Sequence, residues 1–372
     1  MTMSQDAKRS GAGDKGAGGP ETGDTPVTDG AVPDAHDTDD AALLAVDALE
    51  EREPEDAPDD DAVPVRRTGP LALPLGVLKT MRPKQWVKNI LVLAAPFAAG
   101  RLGEVGVLMH VVVAFAVFSL AASGVYLVND ARDVEADRAH PKKRFRPIAA
   151  GIVPAPVAYG VAVVLFAGAI ALSFVATRNL AIVAAVYIVV QLAYCLWLKH
   201  EPVIDICIVS SGFLMRAIAG GAAATLYLSP WFLLTMAFGS LFMAAGKRYA
   251  EMRLAERTGA KIRKSLERYS ASYLRFVWSL SATVVIMAYS LWAFGIGVMT
   301  IPDRAPTPPS MWAIISVVPF VVAILRYAVD VDGGNGGEPE EIVLHDRVLQ
   351  VLGVAWVVLV FLAVALSPAV VR

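Results

Sequence analysis

The sequence predicts an all-α membrane protein: nine transmembrane helices preceded by a disordered, acidic N-terminal tail. Three observations predict it. Hydrophobic residues make up 56% of the 372, and the mean hydropathy of +0.53 is too apolar for an ordinary soluble chain. Apolar runs near the spanning length of about 20 residues recur along the body. The charge is also divided: residues 1–65 carry 18 Asp and Glu against 4 Lys and Arg, leaving 17 against 29 for the remainder, so a tail of −14 precedes a body of +12.

The tail, taken as residues 1–70, is rich in Gly, Pro, Asp and Ala and nearly free of aromatics. It cannot bury enough apolar surface to offset its chain entropy. It lacks the basic start and short apolar run of a signal peptide. A short amphipathic piece over 41–49 is the only structured alternative. Residues 71–372 form the nine-helix unit, with spans expected at 86–101, 106–128, 154–176, 180–198, 203–225, 230–246, 276–299, 311–329 and 348–370.

Lys and Arg set the expected orientation. The segments before span 1, between spans 2 and 3, and between spans 6 and 7 are strongly basic, the last including Lys261, Arg263 and Lys264. The alternate connections offer Arg101, Arg178 and Arg304. The expectation is a multi-pass protein of the plasma (inner) membrane with its amino terminus and charged loops on the cytoplasmic face. Cys195 and Cys207 show no metal or disulfide spacing and read as small apolar residues. The segment after span 8, with Asp330 and Asp332, reads as a flexible linker without calcium-ligand spacing.

The chemistry concentrates in VNDARDVEADRAHPKKRFRPIAAG, residues 128–151. If Asn129, Asp130, Asp133 and Asp137 continue the preceding helix at about 100° per residue, all four fall within roughly 80°. A carboxylate face followed by cations suits Mg2+ held by the acids, with metal and cations together holding a diphosphate. A self-paired polar loop is the plainer alternative. Lys84 and Lys88, one turn apart, serve either phosphate or, with Trp86, interfacial anchoring. Lys247, Arg248 and Glu251 form a second charged helix face, either binding substrate or forming a salt-bridged helix exit. Asp205, Gly212 and Arg216 lie near one azimuth. Arg216, about 16 Å of helix beyond Asp205, either lines a polar cavity or forms a structural ion pair.

Asn129-Asp130-x-x-Asp133-x-x-x-Asp137 resembles the NDxxDxxxD signature of the UbiA superfamily of intramembrane prenyltransferases, over roughly residues 75–370. With RPKQWVKN (82–89), DRAHPKKRFRPIAAG (137–151) and GKRYAEM (246–252), the chain is similar to that superfamily's decaprenyl-phosphate phosphoribosyltransferase branch. The second aspartate motif usual in members acting on aromatic rings is replaced here by Lys247, Arg248 and Glu251. The resemblance implies a UbiA-type bundle and a Mg-dependent transfer from phosphoribosyl pyrophosphate to a polyprenyl phosphate for cell-wall arabinan synthesis. It implies catalytic roles for Asp130, Asp133, Asp137 and Lys247, and metal binding by the three aspartates and Asn129. Lys84, Lys88, Asn129, Arg138, Lys143, Arg146, Arg216, Arg248 and Glu251 are then the candidate substrate-binding residues. Prenyl transfer to an aromatic acceptor is the enzymatic alternative, and a lipid transporter the alternative from another class. The expected partners are the two substrates and the bilayer, without nucleic acid; self-association is allowed but not specified.

Overall fold

The computed structural model describes residues 69, 71–258, 266, 268–298, 308–333, 342 and 345–366. The expected tail disorder, the amphipathic piece at 41–49, residues 334–341 of the expected linker, and Lys261, Arg263, Lys264 and Arg304 all lie outside the described residues. Asp330 and Asp332, expected in that linker, instead belong to the helix Met311–Asp332.

Every regular element among the described residues is helical. The chain runs through α1 (Ala72–Thr80), a 3-10 segment (Pro83–Leu93), α2 (Ala94–Ala98), α3 (Val105–Arg132), α4 (Val134–Ala139) and a second 3-10 turn (Lys143–Phe145). It continues through α5 (Ala155–Ala176), α6 (Arg178–Leu196), a third 3-10 turn (Leu198–His200), α7 (Ile204–Ala223), α8 (Pro230–Thr258), α9 (Ala271–Gly295), α10 (Met311–Asp332) and α11 (Arg347–Ala365).

Seven helices, α3, α5, α6, α7, α9, α10 and α11, are long and apolar enough to cross a bilayer. They account for seven of the nine expected stretches. The eighth, α8, is 29 residues long because its apolar half runs on without a break into Lys247, Arg248 and Glu251. The remaining stretch differs from expectation. Instead of one helix over 86–101, an 11-residue 3-10 run leads into the five-residue α2.

The reason lies partly in close packing. A Cβ at Gly220 of α7 would stand 1.8 Å from the Val92 carbonyl oxygen, so the 3-10 backbone lies directly on α7 at a residue without a side chain. Between apolar helices in lipid, such contact replaces the hydrophobic drive, and small residues permit it. The same logic seats α3 against α5, where a Cβ at Gly124 would come within 2.5 Å of the Phe166 ring.

Helix α3 packs on α5, α6, α7 and the 3-10 segment. Helices α8, α9 and α10 share an aromatic core in which Phe242 and Trp278 stack at 5.7 Å, and Tyr327 lies 5.5 Å from Phe242. Contact between α11 and α2 closes the arrangement. One end carries the links between α3 and α5 and between α6 and α7, where Lys199 reaches Asp133 at 2.6 Å and Arg248 of α8 reaches Asp205 at 3.1 Å. At the other end Thr177 caps α6 by accepting from Leu180 N–H at 3.0 Å, and its hydroxyl donates to the Ala222 carbonyl at 2.9 Å.

Candidate functional site

The site begins where α3 ends. Asn129 and Asp130 occupy its last turn, but the helix kinks at Asp133, whose φ of −91° and ψ of 12° separate α3 from α4. The four residues therefore do not share one continuous helical face, which corrects the expectation drawn from an unbroken helix. Asp130 and Asp137 stay together across the kink through Arg146, whereas Asp133, at the kink itself, turns to Lys199, so the acids fall into two groups.

The first group is Asp130 and Asp137, 2% and 5% exposed. The Arg82 guanidinium donates to both Asp130 oxygens, at 3.1 and 3.4 Å. Arg146 Nη1 lies 3.1 Å from Asp137 Oδ2 and 3.6 Å from Asp130 Oδ1. Burial pushes the Asp137 carboxyl above its ordinary range, Arg146 pulls it back, the charge of Asp130 pushes it up again, and Lys143 draws it down. Arg82 stands in the left-handed region, φ 52° and ψ 62°, with its guanidinium 5.0 Å over the Tyr126 ring. A non-glycine residue holds such a backbone only where its surroundings compensate.

The second group is Asp133, which accepts from Lys199 Nζ at 2.6 and 2.8 Å. Lys199 sits on the third 3-10 turn, a few residues before α7. A third group follows on α7 itself. Asp205, 2% exposed, pairs with Arg248 of α8 at 3.1 Å. It also accepts from the Tyr269 hydroxyl and from Ile206 N–H. Burial first, and then this hydrogen bond, push the Tyr269 phenol well above its ordinary range. Lys247 and Glu251 stand half-buried on α8 beside Arg248.

Several sequence expectations change here. In a 3-10 helix about three residues make a turn, so Lys84 and Lys88 point in different directions while residues three apart align. The aligned pair is Trp86 and Asn89. Trp86 Nε1 donates to Ser123 at 3.1 Å, and the Asn89 amide donates to Ser119 at 3.0 Å, both on α3. Trp86 is thus bonded into the bundle rather than serving only as an interfacial anchor. Lys84 is exposed and Lys88 half-buried.

Arg216, 7% exposed, makes no ion pair with a described carboxylate, which removes the ion-pair alternative among the described residues. It donates to Asn89 Oδ1 at 2.7 Å, to the Gly212 carbonyl at 2.6 Å and to the Tyr187 hydroxyl at 3.4 Å. Phe118, Tyr187 and Phe213 surround its guanidinium. Arg138 is exposed, donating to Glu135 at 3.0 Å and to the Ala149 carbonyl at 3.1 Å.

Sequence reasoning missed Lys199 and Tyr269, and used Arg82 only for orientation and as part of the RPKQWVKN motif, without a site role. Their partners lie 66, 64 and 48 residues away. The visible signal was their position in connections assigned to the charged end.

Among the described residues no group of three or more His, Cys, Asp or Glu is set to hold a metal ion. The expected set of three aspartates and Asn129 is therefore not assembled, because Asp133 turns to Lys199. The donors that remain still fit a hard divalent cation. Asp130 and Asp137 present carboxylate oxygens to one cationic atom, Arg146 Nη1, and Mg2+ takes such carboxylates together with substrate phosphate oxygens.

The chain matches the UbiA prenyltransferase family over residues 89–345. It is 62% identical over 298 residues to "Decaprenyl-phosphate phosphoribosyltransferase" of Mycolicibacterium smegmatis, covering 77% of this chain and 92% of that protein. It is 57% identical over 307 residues to the protein of the same name from Corynebacterium glutamicum, covering 82% and 91%. Among solved structures, a UbiA homolog from Archaeoglobus fulgidus bound to GPP and Mg2+ superposes with a TM-score of 0.57 at 13% identity, covering 78% of this chain and 99% of that one. At that identity the likeness is one of fold.

Proposed function

The chain belongs to the UbiA prenyltransferase family, and from that premise we propose that it transfers the 5-phosphoribosyl group of phosphoribosyl pyrophosphate to decaprenyl phosphate. Pyrophosphate is released, and the product, decaprenylphosphoryl-β-D-5-phosphoribose, serves cell-wall arabinan synthesis. The observation that carries this reading is the buried Asp130–Asp137 pair with Arg82 and Arg146 at the end of a membrane-length helix. Identities of 57–62% to phosphoribosyltransferases over most of the chain support it.

The nucleophile is a phosphate monoester with a second pKa of about 6, so it is largely dianionic at neutral pH and needs no general base. The bond from ribose C1 to the pyrophosphate oxygen breaks, and a bond from C1 to a lipid phosphate oxygen forms on the opposite face, turning an α donor into a β product. The protein's task is to hold two anions together and to accept charge on the departing pyrophosphate. Asp130 and Asp137, assisted by Asn129, would hold Mg2+; Asp133 acts through its pair with Lys199. Bound Mg2+ supplies neutralisation of the leaving group's charge.

Arg82, Arg146 and Lys143 take phosphate oxygens on one side, joined by one of Lys84 and Lys88, and Lys247 and Arg248 on the other, with Glu251 beside them. Arg216 acts deeper, fixing the 3-10 segment to α7 through Asn89. The isoprenoid tail leaves sideways into lipid, being too apolar for the charged mouth. Residues 71–372 form the catalytic unit in the inner membrane, with amino terminus and mouth on the cytoplasmic side, and residues 1–70 are an appended acidic tail.

Membranes containing the full chain test this reading when incubated with labelled phosphoribosyl pyrophosphate and polyprenyl phosphate. The expected result is label in the lipid extract with equimolar pyrophosphate. Lipid labelling only from a prenyl diphosphate with an aromatic acceptor would overturn it, as would transport without a covalent product.

A further inference from the structure

Two carboxylates buried this deeply do not both stay ionised without counter-charge at hand. Arg82 and Arg146 supply it, with side chains 23% and 14% exposed against 2% for Asp130. Each group here has two possible partners. The oxygens of Asp130 and Asp137 that accept from arginine are those a divalent cation would occupy. The guanidiniums that donate to them have the fork geometry that suits phosphate.

We infer that Arg82 and Arg146 are exchangeable counter-ions: they hold Asp130 and Asp137 until a divalent cation takes the carboxylates, and then close on the phosphate oxygens of the substrate. The inference rests on the metal–diphosphate reading above. It makes the two arginines competitors of the metal in the absence of substrate and its allies in the presence of a diphosphate. Divalent cations alone then bind weakly, because three ion pairs must open. With a diphosphate present, the same guanidiniums exchange one anion for another and no buried charge is left alone. Arg82 is suited to this: its guanidinium is the more exposed of the two and rests on Tyr126.

The test is Mn2+ binding to the purified full chain in detergent without substrate, read from the free-ion EPR signal. Arg146→Gln is expected to tighten Mn2+ binding about tenfold, equivalent to about 1.4 kcal/mol, and Arg82→Gln to shift it in the same direction. The more exposed Arg82 supplies the reading should Arg146→Gln fail to fold. Asp130→Asn separates the two levels of argument. Retention of the bound Mn2+ in Asp130→Asn overturns the metal reading itself. Loss there, with unchanged or weaker binding in the arginine variants, overturns the exchange alone.

Discussion

Arg146 Nη1 stands 3.1 Å from Asp137 and 3.6 Å from Asp130, so one guanidinium joins carboxylates on opposite sides of the helix kink. Asp133, between them in sequence, is bonded instead to Lys199. The aspartates of one motif therefore have unequal environments, and their substitutions should have unequal effects.

Asp130→Asn removes a buried charge that two arginines address, and turnover should fall by about 10²–10³-fold, the scale on which a single charge-stabilising group acts. Asp133→Asn loses a pair that is 21% and 28% exposed and should cost clearly less. Transfer assays on both variants, matched for protein in the membrane, check this. Equal losses would show that the kink does not separate the roles of the two residues.

Acid should inactivate the enzyme earlier than an ordinary aspartate would require. The ordinary value is about 3.9, and burial raises Asp137 above it. The acid limb of kcat/KM at limiting Mg2+, which reports the metal-free chain, should follow Asp137, since a protonated carboxyl no longer takes up a cation. Arg146 lowers this group, so Arg146→Gln should move the limb toward higher pH. For stability the sign is opposite. Between the unfolded value and the raised folded value the folded chain holds a proton that the unfolded chain has lost, so this group makes the fold less stable as pH rises through that window. Rate–pH profiles and thermal melts across the acid range read the two effects separately.

Gly220→Ala should destabilise the bundle, because the new methyl would meet the Val92 carbonyl at 1.8 Å and the neighbour it meets is backbone. Overpacking of this kind costs roughly 1–3 kcal/mol. Gly168→Ala, on α5 with nothing within 4 Å of the added carbon, should leave the melting temperature nearly unchanged. Thermal unfolding of both variants in detergent makes the comparison.

Composition and local spacing determined that the chain is helical and lies in a membrane, where most of the spans run, and that buried and paired charges gather around Asp130 to Arg146. Those properties follow from apolar run length and from the cost of charge in lipid, both of which are written locally in the chain. Tertiary structure decided the rest. Whether Asp133 faces its neighbouring acids depends on a kink and on Lys199. Whether Lys84 and Lys88 share a face depends on a 3-10 run lying against Gly220. Which cation meets which carboxylate depends on residues brought together from dozens of positions apart. Period arguments assume one continuous helix, and a buried charge takes the partner that packing brings to it, so the pairing could be settled only once the helices had met.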